Sequence, residues 1–281
     1  MRTAALTAAA LVGFAANSLL CRMALGPRLV DAATFTSIRI VSGAVALLIV
    51  SRMAAPARRA DVSAAGSWAS AAALFVYAAA FSFAYLRIGA GVGALLLFGA
   101  VQATMLAWEL RRGERLQWAE WAGLAAAIAG LAALVAPGLS APDPVGAVLM
   151  IAAGIAWGAY SLRGRGASRP LAATTSNFAR AAPLACALSI ARLGSVHADP
   201  QGALLAATSG ALTSGVGYSL WYAALADLTA TQAAIVQLSV PVLAAAGGVA
   251  LLGEMLTPRL AACGGIILGG VALAVLGRRR S

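Results

Sequence analysis

Lysine is absent from this 281-residue chain, histidine occurs once, and nine acidic residues face twenty basic ones, all of them arginine. Each shortage removes a class of chemistry. A Walker-type phosphate loop needs a lysine after its glycines, so ATP-driven work by this polypeptide is excluded. A zinc hydrolase of the HExxH type needs two histidines, and His197 stands alone. A serine protease built inside a membrane needs a serine paired with a histidine. Ser209 and Ser214 offer hydroxyls, but His197 falls in an expected loop beside Asp199. Cys21, Cys186 and Cys263 are odd in number and far apart. They suit small apolar filling better than a disulfide framework or a metal site. No enzyme activity, cofactor or metal is expected from this set.

Polar surface is equally scarce. Hydrophobic residues make up 62% of the chain and charged ones 10%, too little polarity to coat a soluble domain of this length. The pattern predicts an all-α integral membrane protein with spans near 3–25, 31–51, 65–87, 89–109, 119–136, 145–162, 171–191, 202–225, 229–252 and 259–277. Each approaches the ~20 residues that cross ~30 Å of hydrocarbon. Glycine and alanine dominate them, which lets helix backbones approach closely. The first span, which follows Arg2, is longer than the apolar core of a usual cleaved leader, so it is read as retained.

The arginines orient the bundle. With a cytoplasmic N-terminus, Arg2, Arg52, Arg58, Arg59, Arg111, Arg112, Arg115, Arg163, Arg165, Arg169 and Arg278 to Arg280 lie inside, and only Arg28, Arg87, Arg192 and Arg259 lie clearly outside. That bias puts both termini in the cytoplasm. Anionic lipid headgroups are the expected partner of this charge. Nucleic acid is not, because the basic clusters are short and sit at span ends. The expected address is a bacterial inner membrane, and both a monomer and a homodimer stay open.

The chain nearly repeats itself. Gly113-Glu114, followed by Leu116, Gly130 and Ala132, recurs 140 residues on as Gly253-Glu254, Leu256, Gly270 and Ala272. Arg39 recurs as Arg180 at an offset of 141, and Phe14 as Trp157 at 143. Five spans per unit is an odd number, so the second unit enters the bilayer the other way round. The predicted units are residues 1–138 and 139–281, with the binding site between them.

Within the spans, Arg39 and Arg180 lie deep, where a guanidinium costs at least ~2.5 kcal/mol on insertion scales. One reading has them attract a carboxylate-bearing solute with a fork of donors. The other, favoured by the duplication, has them brace helices. Tyr77, Phe81 and Tyr85 fall at i, i+4 and i+8 on one helical face. With Phe14, Trp157, Tyr160, Tyr218 and Trp221 they offer rings to an apolar or aromatic solute. Tyr85, Trp108, Trp118, Trp121 and Tyr222 are read instead as anchors at the membrane interface. Asn17, Gln102, Asn177 and Gln237 place amides inside spans, where each needs a partner or a wet cavity. Pro241, which matches Gln102 at an offset of 139, interrupts the ninth span and is the candidate hinge. Every acidic residue falls at a span end or in a loop, whereas a cation/proton antiporter keeps one at midplane.

The stretch 217–272 resembles the second repeat of the EamA-type transporters of the drug/metabolite transporter superfamily. Trp221-Tyr222, Ala224-Leu225, Pro241, Gly253-Glu254 and the glycine-rich last span carry the likeness; in the first half it rests on Arg39, Gly113-Glu114 and Gly123 to Gly130. The resemblance implies ten helices in two inverted five-helix repeats. Helices one to four and six to nine would build a central cavity, with five and ten peripheral. Gln102 stands where the first repeat often has proline. The function expected is a secondary exporter of small metabolites, amino acids foremost and hydrophobic or aromatic ones included, by alternating access or facilitated flux. The other reading is a proton-coupled exporter of drugs or toxic cations.

Overall fold

The computed structural model describes residues 2–54, 65–112, 117–138, 141–164, 167, 169–225, 228 and 236–277. These form helices α1 (Arg2–Leu25), α2 (Ala32–Ala54), α3 (Trp68–Tyr85), α4 (Ala90–Arg111), α5 (Trp118–Val135), α6 (Pro144–Gly164) and α7 (Pro170–Ala191). Then follow α8 (Pro200–Thr208), a π-helical segment (Ser209–Val216) and α9 (Gly217–Leu225) in one continuous rod, and finally α10 (Ser239–Leu252) and α11 (Pro258–Gly277). Helix boundaries follow the apolar spans read from the sequence to within a few residues, except in the ninth, whose expected start at 229 lies outside the described residues and whose α10 begins at Ser239. No strand occurs among the described residues; a single antiparallel bridge joins Val30 to Ala198. Thr3–Leu25, Ala32–Met53, Trp68–Tyr85, Trp118–Val135 and Pro144–Gly164 are each long and apolar enough to cross a membrane. Gly113-Glu114, the first copy of the repeated pair, lies outside the described residues.

The scarce carboxylates cap helix starts. The first N–H groups of a helix lack intrahelical acceptors and carry the positive end of its dipole, so an anion there satisfies both. Asp31 Oδ1 accepts from Ala33 N (3.0 Å) and Thr34 N (2.9 Å) at α2. Asp143 accepts from Gly146 N (2.7 Å) at α6, and Asp199 from Gln201 N (2.8 Å) at α8. Glu120 reaches back to Gln117 N (2.8 Å) in the capping box of α5. Glu254 caps a helix remote in sequence: its two oxygens accept from Ala90 N, each at 2.8 Å, at the start of α4. Arginines take the opposite ends. Arg22 Nη1 donates to Tyr85 O (2.8 Å) at the end of α3, and Arg259 donates to the carbonyls of Ala133 and Ala136 at the end of α5. Arg22 also pairs with Glu254 (3.6 Å), and Arg87 with Asp143 (3.5 Å).

Small residues set the helix contacts. α5 packs along α11, where a Cβ on Gly270 would come within 2.7 Å of Gly123 O, and a Cβ on Gly123 would run into Gly270 O. α3 and α4 pack on α6, α2 on α7 and on the π segment, α1 on α8 to α10, and α4 on α10. Phe35, Ile40, Leu74, Phe81, Leu96 and Met150 are fully buried where these helices meet.

Tyr85 corrects the anchor reading. It is fully buried, edge-on to Phe81 at 4.7 Å, because it continues the face of Tyr77 and Phe81 that turns inward. Trp108, Trp118 and Trp121 are exposed, as anchors require, and the side chain of Tyr222 lies outside the described set. Cys21 and Cys263 are buried fillers, whereas Cys186 is exposed.

Candidate functional site

A cavity opens where α1, α3, α4, α6, the π segment and α9 converge. Phe14, Asn17, Tyr77, Phe81, Trp157, Tyr218 and Gln237 line it, as do Ser18, Leu97, Phe98, Thr213 and Ser214. The space open to the centre of a water molecule is about 30 Å³, room for a water or two and not for a metabolite.

One wall is aromatic. Trp157 stacks on Tyr218 (centroids 5.2 Å apart, planes 22° apart) and on Tyr160 (5.4 Å, 29°). Tyr77 lies against Trp157 at 4.8 Å and against Phe81 at 5.4 Å. Phe14 meets Tyr218 at 5.9 Å and Trp221 at 5.8 Å. Offset and tilted rings at these separations attract one another beyond their burial, so the wall is preorganised.

The other wall is polar and is backed by Arg39, which is 2% exposed and does not itself line the cavity. Its Nη2 donates to Tyr77 Oη (2.9 Å) and its Nε to Ser214 Oγ (3.4 Å), while its guanidinium carbon lies 5.2 Å from the Tyr77 ring and 4.9 Å from that of Phe81. Arg39 Nη1 is buried with no hydrogen-bond partner. Asn17 ties α1 to the π segment: Ser209 Oγ donates to its Oδ1 (2.7 Å), and Thr213 Oγ1 lies 3.2 Å from the same oxygen. Asn17 Nδ2 donates to Tyr77 Oη at 3.5 Å.

The π segment makes this arrangement possible. π-helical turns interrupt the regular ladder and often mark functional positions. Here the segment lies so close to α2 that a Cβ on Gly210 would fall on the Ser42 hydroxyl and the Arg39 carbonyl oxygen. Only glycine fits, and Ser214 is thereby brought to the Arg39 side chain.

Other sequence candidates fall elsewhere. Asn177 Oδ1 accepts from Ser67 N (3.0 Å) at the start of α3. Arg180, half-buried, donates to Ser176 Oγ (2.8 Å) near Gly66. Arg39 and Arg180 thus occupy unlike surroundings despite matching sequence positions. Gln102 is half-buried on α4 and does not line the cavity; Tyr160 and Trp221 support the lining rings from behind. Pro241 is buried in the first turn of α10; just before it, at Leu238, the helical hydrogen-bond ladder is interrupted while the backbone stays right-handed (φ −64°, ψ −17°), and Ser239 Oγ donates to the Val236 carbonyl (2.6 Å). Missed at the sequence level were Ser18, Thr213 and Ser214. The cluster Thr208-Ser209-Gly210, with Thr213-Ser214-Gly215, inside an otherwise apolar span was the available signal.

A helical membrane protein with a small, part-aromatic and part-polar cavity between its helices has the form of a small-molecule transporter. Residues 144–276 match the EamA-like transporter family. An uncharacterized protein of Pseudomonas aeruginosa is 51% identical over 99% of this chain and 96% of its own length. A probable terminal-alkyne amino-acid exporter of Streptantibioticus cattleyicolor is 29% identical over 69% of this chain and 68% of its own. A solved crystal structure, 21% identical, superposes with a TM-score of 0.66 over 97% of both chains, a likeness of fold. The chain belongs to the EamA-like transporter family.

Proposed function

We propose that this protein is a bacterial inner-membrane exporter of small metabolites, chiefly amino acids with hydrophobic or aromatic side chains. It works by alternating access or facilitated flux between two inverted five-helix repeats, residues 1–138 and 139–281, with both termini cytoplasmic. The observation that carries the reading is a cavity whose walls come from both halves: Phe14, Asn17, Tyr77 and Phe81 from the first, Trp157, Ser214 and Tyr218 from the second. A ring wall facing a polar wall suits a solute with an apolar side chain and a charged end.

Further support comes from packing and from a relative. Contacts between the halves come in exchanged pairs: α3 on α6 answers α1 on the rod 200–225, and α4 on α6 answers α1 on α10. α2 on α7, α4 on α10 and α5 on α11 are their own counterparts. Such exchange is expected of two units related by a pseudo-twofold axis. The Streptantibioticus relative is described as a probable amino-acid exporter. Because the present void holds a water or two, loading a metabolite requires helices to separate; the interrupted ladder at Leu238 before Pro241 is the proposed flexible point.

Purified protein in liposomes loaded with radiolabelled L-phenylalanine tests the reading. Efflux well above that of empty liposomes, persisting when an ionophore collapses the proton gradient, is the expected result. No efflux with any amino acid refutes the substrate class. Efflux of ethidium that stops with the proton gradient favours a proton-coupled cation exporter instead.

A further inference from the structure

The polar wall has a direction. Arginine can only donate hydrogen bonds, so Tyr77 Oη and Ser214 Oγ must both accept from Arg39, and each hydroxyl keeps its own hydrogen for another partner. Neither hydrogen has an acceptor among the described residues, and both residues line the cavity. Asn17 is held the same way round: its carbonyl oxygen faces the Ser209 and Thr213 hydroxyls, which leaves its amide hydrogens toward Tyr77 and the void. Behind them lies a buried guanidinium whose Nη1 is unsatisfied and which pairs with no carboxylate among the described residues. A buried charge without a counter-ion is costly, so this wall is incomplete as it stands.

We infer that this wall is a donor-rich pole, backed by the Arg39 charge, that binds the carboxylate of the transported solute, and that the solute's ammonium group is not a recognition element. The inference rests on the exporter reading and sharpens its substrate class to carboxylates with apolar tails, amino acids among them. One guanidinium balances one negative charge, which matches a carboxylate and leaves a phosphate dianion uncompensated. No lining residue is acidic, so an ammonium finds no anion there. Aromatic faces can attract a cation, but Arg39 already lies over those of Tyr77 and Phe81, and Trp157 is stacked on Tyr160 and Tyr218. A cationic solute therefore meets the Arg39 charge behind the wall with no carboxylate beside it among the described residues, a repulsive element that disfavours it. Arg39 acts through Tyr77 and Ser214 and is in this sense a positioning residue.

Three probes of nearly equal shape separate the groups: L-phenylalanine, 3-phenylpropionate and 2-phenylethylamine. Their affinities at pH 7 are read on the purified full-length protein from ligand-dependent thermal shifts. The two carboxylates should bind within about fivefold of each other and the amine about tenfold or more weakly, the scale of a lost charge-assisted hydrogen bond. Tyr77→Phe and Ser214→Ala, which keep Arg39 and the ring packing, should each weaken the carboxylates several-fold and narrow their lead over the amine. An amine that binds as tightly as the carboxylates, a carboxylate preference untouched by both variants, or binding of none of the three overturns the inference. Carboxylate-selective binding without efflux from liposomes would refute the exporter reading and leave the donor pole standing. Efflux of phenylalanine with an equally bound amine would do the reverse.

Discussion

Glu254 holds three helices at once. Its carboxylate caps α4 through Ala90 N, lies 3.4 Å from Gly91 N and pairs with Arg22 of α1, while its own backbone follows α10. Glu254→Gln keeps the shape but removes the charge that both the helix dipole and Arg22 require. It should lower stability by about 1–2 kcal/mol, read as a fall in the melting temperature of detergent-solubilised protein. Asn17→Ala removes the acceptor of the Ser209 hydroxyl, while that of Thr213 keeps the Ser209 carbonyl, and should cost ~1 kcal/mol in the same measurement. Asp31 adds a pH dependence. Its burial alone would raise the carboxyl, but hydrogen bonds from Thr34, His197 and Ala33 outweigh it and hold the group below its ordinary value of 3.8. Ionised Asp31 therefore stabilises the fold fully above pH 3.8, and this contribution is lost as pH falls below that through the folded value. The difference in melting temperature between wild type and Asp31→Asn should be constant from pH 5 to 8 and shrink below pH 3.8.

At the scale of elements, two glycine contacts decide what can pack. Gly210→Ala would drive the π segment away from α2 and draw Ser214 from Arg39; a loss of ~2 kcal/mol or more is expected, with weakened binding of any carboxylate the protein transports. Gly123→Leu should separate α5 from α11 and lower the melting temperature without touching the cavity, since neither helix lines it. Helix existence and ends were legible in the sequence because apolar spans of membrane length, flanked by arginine and by capping acids, have few other solutions. The π segment was not. Its extra residue per turn has no local periodic signal, and the close fit of Gly210 against α2 that accompanies it joins residues some 170 positions apart. The same limit explains Tyr85: a tyrosine at a span end reads as an anchor until the face it shares with Tyr77 and Phe81 is seen to turn inward.

Across the whole molecule, the proposed topology puts the turn at Gly194 outside and the end of α6 at Gly164 inside. Both positions are exposed with open space around them. In a background lacking Cys21, Cys186 and Cys263, Gly194→Cys should react with an impermeant maleimide applied to intact cells, and Gly164→Cys only after the membrane is opened. The reverse pattern would invert the orientation. On the proposed function, the small void must widen before a metabolite enters, so transport would be a property of the bundle and not of any one side chain.

The sequence by itself determined that this chain is helical and apolar throughout, that its acids avoid the spans, and that rings and amides gather on certain faces, because composition and 3.6-residue periodicity act locally. Only the tertiary structure decided which of these residues meet. It placed Arg39 behind Tyr77 and Ser214 while leaving Arg180 among the residues near Gly66, and it sent Glu254 to the start of α4. The physical reason is that hydrogen-bond direction and charge compensation are settled between helices, by contacts that no spacing along the chain records.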